Sequence, residues 1–483
     1  MDSAVRTRVA TCAVGLLALV ALLALTGCQS LIPAYQRPEA PIPATYAPEM
    51  TPAAANAEAA ADIEWQRFFA DPRLRRLIAL ALENNRDLRV AVLNIEQARA
   101  AHQIRRADIF PSVGAGATAS RSAVGQNNLV TTYAVGLAVT GYEIDLFGRV
   151  QNLSQAALSQ YLATAESRKA VQLSLIGNVA TTYLNVLADE ELLKVTRLTL
   201  VTREESTRLT KLRFDYGATS ELDYRQAESL LEGARVALAQ SLRQKALDEN
   251  ALVLLVGQGL PADLPAPLPL GAQQVPLDLP AGLPSELLAR RPDVRSAEQQ
   301  LLAANANIGA ARAAFFPRIS LTTTLGTAST ELSSLFKGGT FALTGTAQLL
   351  QPIFDAGRNR ANLDVAKVNR DIAVAQYEKS IQTSFREVSD ALAGRATLGE
   401  QLRAQLAQTQ ALAVTYRLAD LRYRAGAASY LDALDAQRSL FVAQQALVQT
   451  QALQLQNLVA LYRVLGGGWK EGAAVLNAEA TSR

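Results

Sequence analysis

Leu212-Arg213-Phe214-Asp215-Tyr216-Gly217-Ala218-Thr219-Ser220-Glu221-Leu222-Asp223 returns in altered form as Leu421-Arg422-Tyr423-Arg424-Ala425-Gly426-Ala427-Ala428-Ser429-Tyr430-Leu431-Asp432. Both stretches read L-R-aromatic-x-x-G-x-x-S-x-L-D, and 421 minus 212 sets them 209 residues apart. Glycine supplies the left-handed backbone that ends one helix. Serine three residues later is a natural N-cap for the next, and an acid in that helix's first turn is favoured by its dipole. Each copy reads as a corner between two helices, and a chain with two such corners reads as a tandem repeat.

Working outward, Gly148 opens a helical pattern that runs without proline to about Phe214, roughly 100 Å at ~1.5 Å per residue. Within it Leu173, Ile176, Ala180, Tyr183 and Leu187 step by 3 and 4, as in a coiled-coil seam. Leu175, Val179 and Val186 form a second apolar line, so this helix needs several helical neighbours. The returning helix is expected over 220–256, and a Pro-rich linker over 257–290 separates the two halves.

The plan then repeats over 291–465. Asp293-Val294-Arg295 answers Asp87-Leu88-Arg89, Phe316-Pro317 answers Phe110-Pro111, and Gly357-Arg358 answers Gly148-Arg149. Phe385, Val388 and Leu392 fall on Ile176, Val179 and Tyr183. The second long helix is expected over 357–424 and its return over 429–465, before a tail, 466–483. Between the flanking helices, alternating small and β-branched residues predict strands near 112–121, 131–144, 318–328 and 340–351. Arg121–Val130 and Ser329–Gly339 are expected as the loops joining each pair. Runs of this length suit membrane-spanning strands, although Gly/Ala/Thr-rich hairpins also occur in soluble proteins. Four strands cannot close a barrel alone, and an open sheet edge cannot face lipid.

The N-terminus reads as an address. Arg6 and Arg8 precede an apolar run, Val9–Leu25, that closes in Leu25-Thr26-Gly27-Cys28. This resembles the lipobox of bacterial lipoproteins and implies removal of 1–27, with an S-diacylglycerol and an N-acyl lipid on Cys28. An uncleaved anchor helix or an ordinary signal peptide are the alternatives. Residues 28–61, with six prolines, read as an extended tether without a core of its own. Removal of Cys12 with the leader leaves one cysteine and excludes a disulfide within the mature chain. A net charge of +3 without basic blocks gives no reason to expect nucleic acid, and a single histidine, His102, leaves little for metal or nucleophilic catalysis. Gly466-Gly467-Gly468 ends a helix and lacks the setting of a phosphate loop. No cofactor or metal is expected, and no enzyme activity.

Taken together, the chain resembles the TolC-like outer membrane factors, in their OprM-like lipoprotein branch. The resemblance rests on the lipobox, Trp65-Gln66-Arg67-Phe68-Phe69-Ala70-Asp71-Pro72, the Asn84–Leu88 stretch and both Phe-Pro steps. It rests further on Tyr142–Arg149, the twin corners, Leu434–Leu440 and Leu465–Trp469. It implies a mainly α protein with a membrane β-barrel portion, built from two tandem structural repeats. Three chains would pool their strands into a 12-stranded barrel above a periplasmic α-helical tunnel. The implied setting is the outer membrane of a Gram-negative bacterium. The implied partners are two further copies, outer membrane lipids, a periplasmic adaptor (membrane fusion protein) and an inner-membrane RND-type transporter.

The same resemblance assigns sites. Leu431 and Asp435 are four apart on one helix, with Arg438 one turn beyond. The matching positions in such channels form an apolar and an acidic constriction, whereas outside that setting Asp435 and Arg438 are an ordinary exposed ion pair. The equivalents in the first corner are Leu222, Gln226 and Ser229, so the charged step occurs once. Arg213, Gly217, Ser220 and Asp223, with Arg422, Gly426, Ser429 and Asp432, either dock the adaptor or serve turn chemistry alone. The arginines and aspartates could clamp each corner or present charge. Gln437, Gln444 and Gln451 form a polar stripe that faces either a lumen or the outer solvent. The expected function is a passive, gated conduit exporting small toxic compounds. Protein or peptide secretion and a structural trimeric lipoprotein are the competing readings.

Overall fold

A computed structural model describes residues 31–46, 59–124, 128–275, 279–280 and 284–468. The expected leader, Cys28 and residues 469–483 lie outside these. In chain order the helices are α1 Trp65–Phe68, α2 Pro72–Asn84, α3 Arg86–Ala107, α4 Arg149–Asp215, α5 Glu221–Val256, α6 Leu287–Arg290, α7 Pro292–Ala313, α8 Arg358–Arg424 and α9 Tyr430–Val464. The strands are β1 Val113–Val124, β2 Asn128–Ile144, β3 Arg318–Ser329 and β4 Phe341–Leu350. Helices α4 and α8 have 67 residues each, the same length in both repeats.

The chain divides into two compact units. The first gathers Met1–Glu39, Leu93–Ala165 and Ser296–Lys379 and holds the sheet. Its strands are antiparallel in the order β1-β2-β3-β4, so among the described residues one edge of β1 and one edge of β4 are unpaired. Gly136 opposes Gly326 across β2 and β3. A Cβ on either would collide with the carbonyl oxygen of Leu325 or Val135, so only glycine permits this approach. At the foot of the sheet Glu143 takes a two-pronged bond from Arg149 at 2.8 and 2.7 Å, Arg318 lies 3.3 Å away, and Phe147 stacks on Phe316.

The first hairpin departs from expectation. Arg121 pairs with Thr131, Ser122 with Val130 and Ala123 with Leu129, so most of the expected loop is strand. The backbone ladder is indifferent to side-chain polarity, and Arg121 to Ala123 are exposed. In the second hairpin the loop does form, with a 3₁₀ turn at Leu332–Ser334 and a left-handed Gly339.

The second unit gathers Ala40–Val92, Glu166–Arg295 and Ser380–Arg483 and contains the largest apolar core. Both apolar lines of α4 are buried there, Leu173, Ile176, Ala180, Tyr183 and Leu187 as well as Leu175, Val179 and Val186. They meet α2 through Leu74, Leu77 and Ile78, α8 through Val388 and Leu392, and α9 through Val459, Leu461 and Tyr462. A single polar group organises this junction. Asp71 is 1% exposed and caps α2, accepting from the amides of Arg73 and Leu74, from Tyr183 Oη (2.8 Å) and from Gln273 Nε2 (2.8 Å). A buried carboxylate is tolerated because its oxygens are filled. Pro72 takes the first helical position, where a missing amide costs nothing.

The Pro-rich linker packs rather than spans. Leu270 and Leu279 are buried in the core, with Leu260, Leu264 and Val275 against it. Gly257 ends α5 at φ 80°, and a Cβ there would strike the carbonyl of Asn84. The tether is also less free than expected. Tyr46 is buried and stacks on Phe385, while in the first unit residues 31–37 are bonded to α7. Proline prevents a core of the segment's own but leaves its carbonyls open to donors from elsewhere.

Asp189, on α4, is 7% exposed, and burial, then Asp248, pushes its carboxyl up to about 7. Nearby Lys245 opposes the shift but is shared with Glu190 and Glu249 at 3.1 and 3.5 Å. A folded-state value above the ordinary 3.8 favours folding of the protonated form. That stabilisation is complete below about pH 4 and is lost as pH rises through 7. Asp189→Asn should therefore raise the thermal midpoint clearly at pH 8 and much less at pH 5. An equal shift at both values would contradict the assignment.

Candidate functional site

Both corners are built from the same two hydrogen-bond devices. At the end of α4, Ala218 N donates to the Arg213 carbonyl (2.7 Å) and Gly217 N to that of Phe214 (2.9 Å). At the end of α8, Ala427 N donates to Arg422 (2.9 Å) and Gly426 N to Tyr423 (3.0 Å). These are paired Schellman closures, with the glycines at φ 68° and 73°. Ser220 and Ser429 then cap α5 and α9, each in a reciprocal box with Asp223 or Asp432. Bonds from Thr219 and Ser220 hold Asp223 below the usual carboxylate range. A side chain at Gly217 or Gly426 would meet nothing within 4 Å, so both turns present bare backbone outward.

The arginines do not pair with these aspartates, whose oxygens are engaged at the caps. Arg213 instead reaches the other corner, donating to Tyr423 Oη at 2.7 Å with its guanidinium 5.1 Å from that ring. Arg422 stays with its own turn, near the Ala427 carbonyl. Tyr423 contacts Tyr430 at 5.0 Å, Tyr430 Oη lies 2.9 Å from Ser206 Oγ, and Phe214 stacks on Tyr224. Tyr430, Leu434 and Ala227 make a small core beneath. A cavity of about 540 Å³ opens beside it, lined by Leu209, Arg213, Tyr416, Tyr423, Tyr430 and Leu434 among others. The motif's third position marked Tyr423 as aromatic, but the bridge to Arg213 had no sequence signal.

The start of α9 has two contrasting faces. Ala433, Leu434, Ala436 and Gln437 are buried, whereas Leu431 is 53% exposed. The side chains of Asp435 and Arg438 are 70% and 56% exposed, 3.8 Å apart. Such a pair contributes little to stability in one chain. Gln437 does not follow a solvated stripe; it is buried and donates to Tyr416 Oη at 3.4 Å. Arg203 was not singled out by sequence. It is 5% exposed, donates to the Leu230 carbonyl (2.9 Å) and lies 5.1 Å from the Phe441 ring, one turn from Arg438. Burial, then the charge of Arg438, pushes its pKa down.

Among the described residues no group of three or more His, Cys, Asp or Glu side chains is placed to hold a metal. No helix among them is long and apolar enough to cross a membrane. Two strand pairs, each leading into a 67-residue helix that ends in a capped corner, define a channel-forming protein of the strand-and-long-helix class.

The chain belongs to the outer membrane efflux protein family, whose sequence pattern matches residues 77–258 and 283–467. It is 48% identical over 466 residues to the toluene efflux pump outer membrane protein TtgC of Pseudomonas putida, covering 95% of this chain and 96% of that one. The antibiotic efflux pump outer membrane protein ArpC of Pseudomonas putida matches with the same identity and coverage. The open-state outer membrane channel MtrE of Neisseria gonorrhoeae superposes with a TM-score of 0.84 at 41% identity, covering 92% of this chain and 99% of that one. The protein is thus an outer-membrane efflux channel, a passive conduit and not an enzyme.

The two capping boxes should be equivalent in energy. Ser220→Ala and Ser429→Ala are each expected to cost ~1 kcal/mol locally. Hydrogen exchange at the Asp223 or Asp432 amide should then accelerate about fivefold. Unchanged exchange in either variant would show that the box is not formed there.

Proposed function

We propose that three copies assemble into one channel that accepts small toxic compounds on the periplasmic side and releases them outside the cell. The observation that carries this is the pair of unpaired edges on β1 and β4. Hydrocarbon offers those amides and carbonyls no partner, and joining β4 of one copy to β1 of the next satisfies every edge. Relatives are named for toluene and antibiotic efflux pumps, which supports weakly polar, membrane-permeant toxicants as cargo. Pump membership supports a periplasmic adaptor and an inner-membrane RND-type transporter as partners. The lipobox supports acylation of Cys28 as an added anchor in the outer membrane.

In this assembly Leu431, Asp435 and Arg438 are the gate. Their shared exposed face on α9, opposite a buried one, supports a lumenal placement. Three leucines would narrow the pore with an apolar ring, and three carboxylates one turn away would favour cations over anions. The two corners are the adaptor-docking surface, with Gly217 and Gly426 exposing backbone and Ser220, Asp223, Ser429 and Asp432 fixing its shape. Arg213 and Arg422 supply charge beside it, Arg213 while also bridging to Tyr423.

Leu431→Ala combined with Asp435→Ala should raise single-channel conductance severalfold in planar bilayers and reduce cation preference. Conductance and selectivity identical to the parent channel would remove the gate from this position. Cysteines at Ala218 and Ala427, labelled with a maleimide–benzophenone that inserts into neighbouring C–H bonds on irradiation, should each capture the adaptor in cells. If neither does so while the channel still exports, docking lies elsewhere.

A further inference from the structure

Beside the small core under the corners, three helices converge on the cavity of about 540 Å³. Helix α4 contributes Leu209 and Arg213, α8 contributes Tyr416 and Tyr423, and α9 contributes Tyr430 and Leu434. The volume falls within the ~300–1,000 Å³ of small-molecule pockets, whose walls are mostly apolar and aromatic with a few placed polar groups. Corner chemistry does not require this lining. At the offset of 209, Tyr416, Tyr430 and Leu434 answer to Thr207, Glu221 and Arg225, so the aromatic wall is built in one half of the chain only.

The charges around the cavity are matched except at one point. Asp420 is held by Arg424 at 2.7 Å, and Glu205 by Arg208 at 2.9 and 2.6 Å. Asp215 takes Lys211 at 3.1 Å, and Asp223 is engaged at its cap. Among the described residues Arg213 has no carboxylate partner. Its Nη1 donates to Tyr423 Oη, which leaves the Nε–Nη2 edge of the guanidinium open. That edge carries two parallel N–H groups, the fork that a carboxylate takes with both oxygens. Tyr423 Oη accepts from Arg213, and its own proton has no acceptor among the described residues. Two N–H groups and one hydroxyl thus stand together beside a tyrosine-lined space.

We propose that this cavity binds a small aromatic carboxylic acid. The carboxylate takes the open edge of Arg213 and the Tyr423 hydroxyl. The ring packs among Tyr416, Tyr430, Leu209 and Leu434, where tyrosine faces favour an aromatic occupant over an aliphatic one of equal area. The guanidinium favours the acid over its amide or an amine. Bound there, the acid touches α4, α8 and α9 at once and reinforces the bridge that Arg213 and Tyr423 make alone. The site does not depend on the assignment of gate or cargo.

Full-length channel in lipid nanodiscs is titrated calorimetrically near neutral pH with 2-naphthoate, 2-naphthamide and 2-naphthylmethylamine, with empty discs as the partition blank. The acid should bind saturably, at one site per chain, and roughly tenfold more tightly than the amide or the amine. Arg213→Gln should erase that preference and leave weak binding of all three probes. Arg213→Lys, a point charge without the fork, should restore only part of it. Leu209→Trp, which fills the space, should abolish binding of the acid. Absence of saturable binding beyond the empty discs overturns the proposal. An undiminished preference in Arg213→Gln, or undiminished binding in Leu209→Trp, places the acid elsewhere and overturns it too. Equal affinity for acid and amide would leave a purely apolar pocket, and preference for the amine would make it a cation cage set by Asp420 and Glu205. Either result rejects the carboxylate. The comparison of the three probes uses the parent channel, so it stands if a substitution disturbs the corner.

Discussion

The requirement that every backbone amide and carbonyl find a partner inside a membrane governs the rest of this protein. Four strands in the order β1-β2-β3-β4 leave two edges open. In water an open edge is a liability; in hydrocarbon it is untenable. The sheet is therefore only a fraction of a barrel, and the chain only a fraction of a channel. The first unit has little apolar interior of its own in the strands, where Leu343, Leu349 and Leu350 are more than half exposed. The second unit, by contrast, carries the main core. Stability is thus divided between a core that one chain completes and a sheet that it cannot, and assembly is coupled to folding through the second of these.

Duplication satisfies this constraint economically, since each repeat supplies one hairpin and one pair of helices. The corners show which parts of the duplicated plan are free to diverge. Glycine at positive φ, the serine cap and the aspartate that completes its box are kept in both, because the backbone of a tight reversal admits little else. The outer positions are not so bound. Tyr216 and Asp215 stand where the second copy has Ala425 and Arg424, and Gln226 and Ser229 where it has Asp435 and Arg438. Chemistry that the turn does not require is where the two halves were free to acquire different tasks.

Long elements were legible because their signals are repeated many times. Each long helix offers dozens of positions at helical spacing, and their ends are marked by glycine and serine within a residue or two. Burial of Tyr183, Val388 and Leu392 followed from the same periodicity. What the sequence concealed depends on partners distant in the chain. Arg121 to Ala123 looked like loop because polarity was read where ladder pairing decides. Asp223 and Asp432 looked available to arginines although the caps engage them. The Arg213–Tyr423 bridge spans 210 residues, and no local pattern encodes it. Asp71 stood in the sequence only as part of the Trp65–Pro72 motif, with no signal that α2, Tyr183 and the linker converge on it.

Arg203 shows why such hidden contacts bear on function. A guanidinium buried without a carboxylate partner is expensive to keep. Its bond to the Leu230 carbonyl and its place over Phe441 recover only part of that cost. Arg438, one turn from Phe441 on the exposed face of α9, repels that charge, and burial together with this repulsion lowers the pKa of Arg203. On that face Arg438 lies 3.8 Å from Asp435, whose opposite charge weakens the repulsion between the two cations. The exposed step on α9 is therefore not an isolated surface feature. It is backed by α4, whose buried Arg203 carries a cost that the Arg438 charge increases and that the Leu230 carbonyl and the Phe441 ring offset only in part.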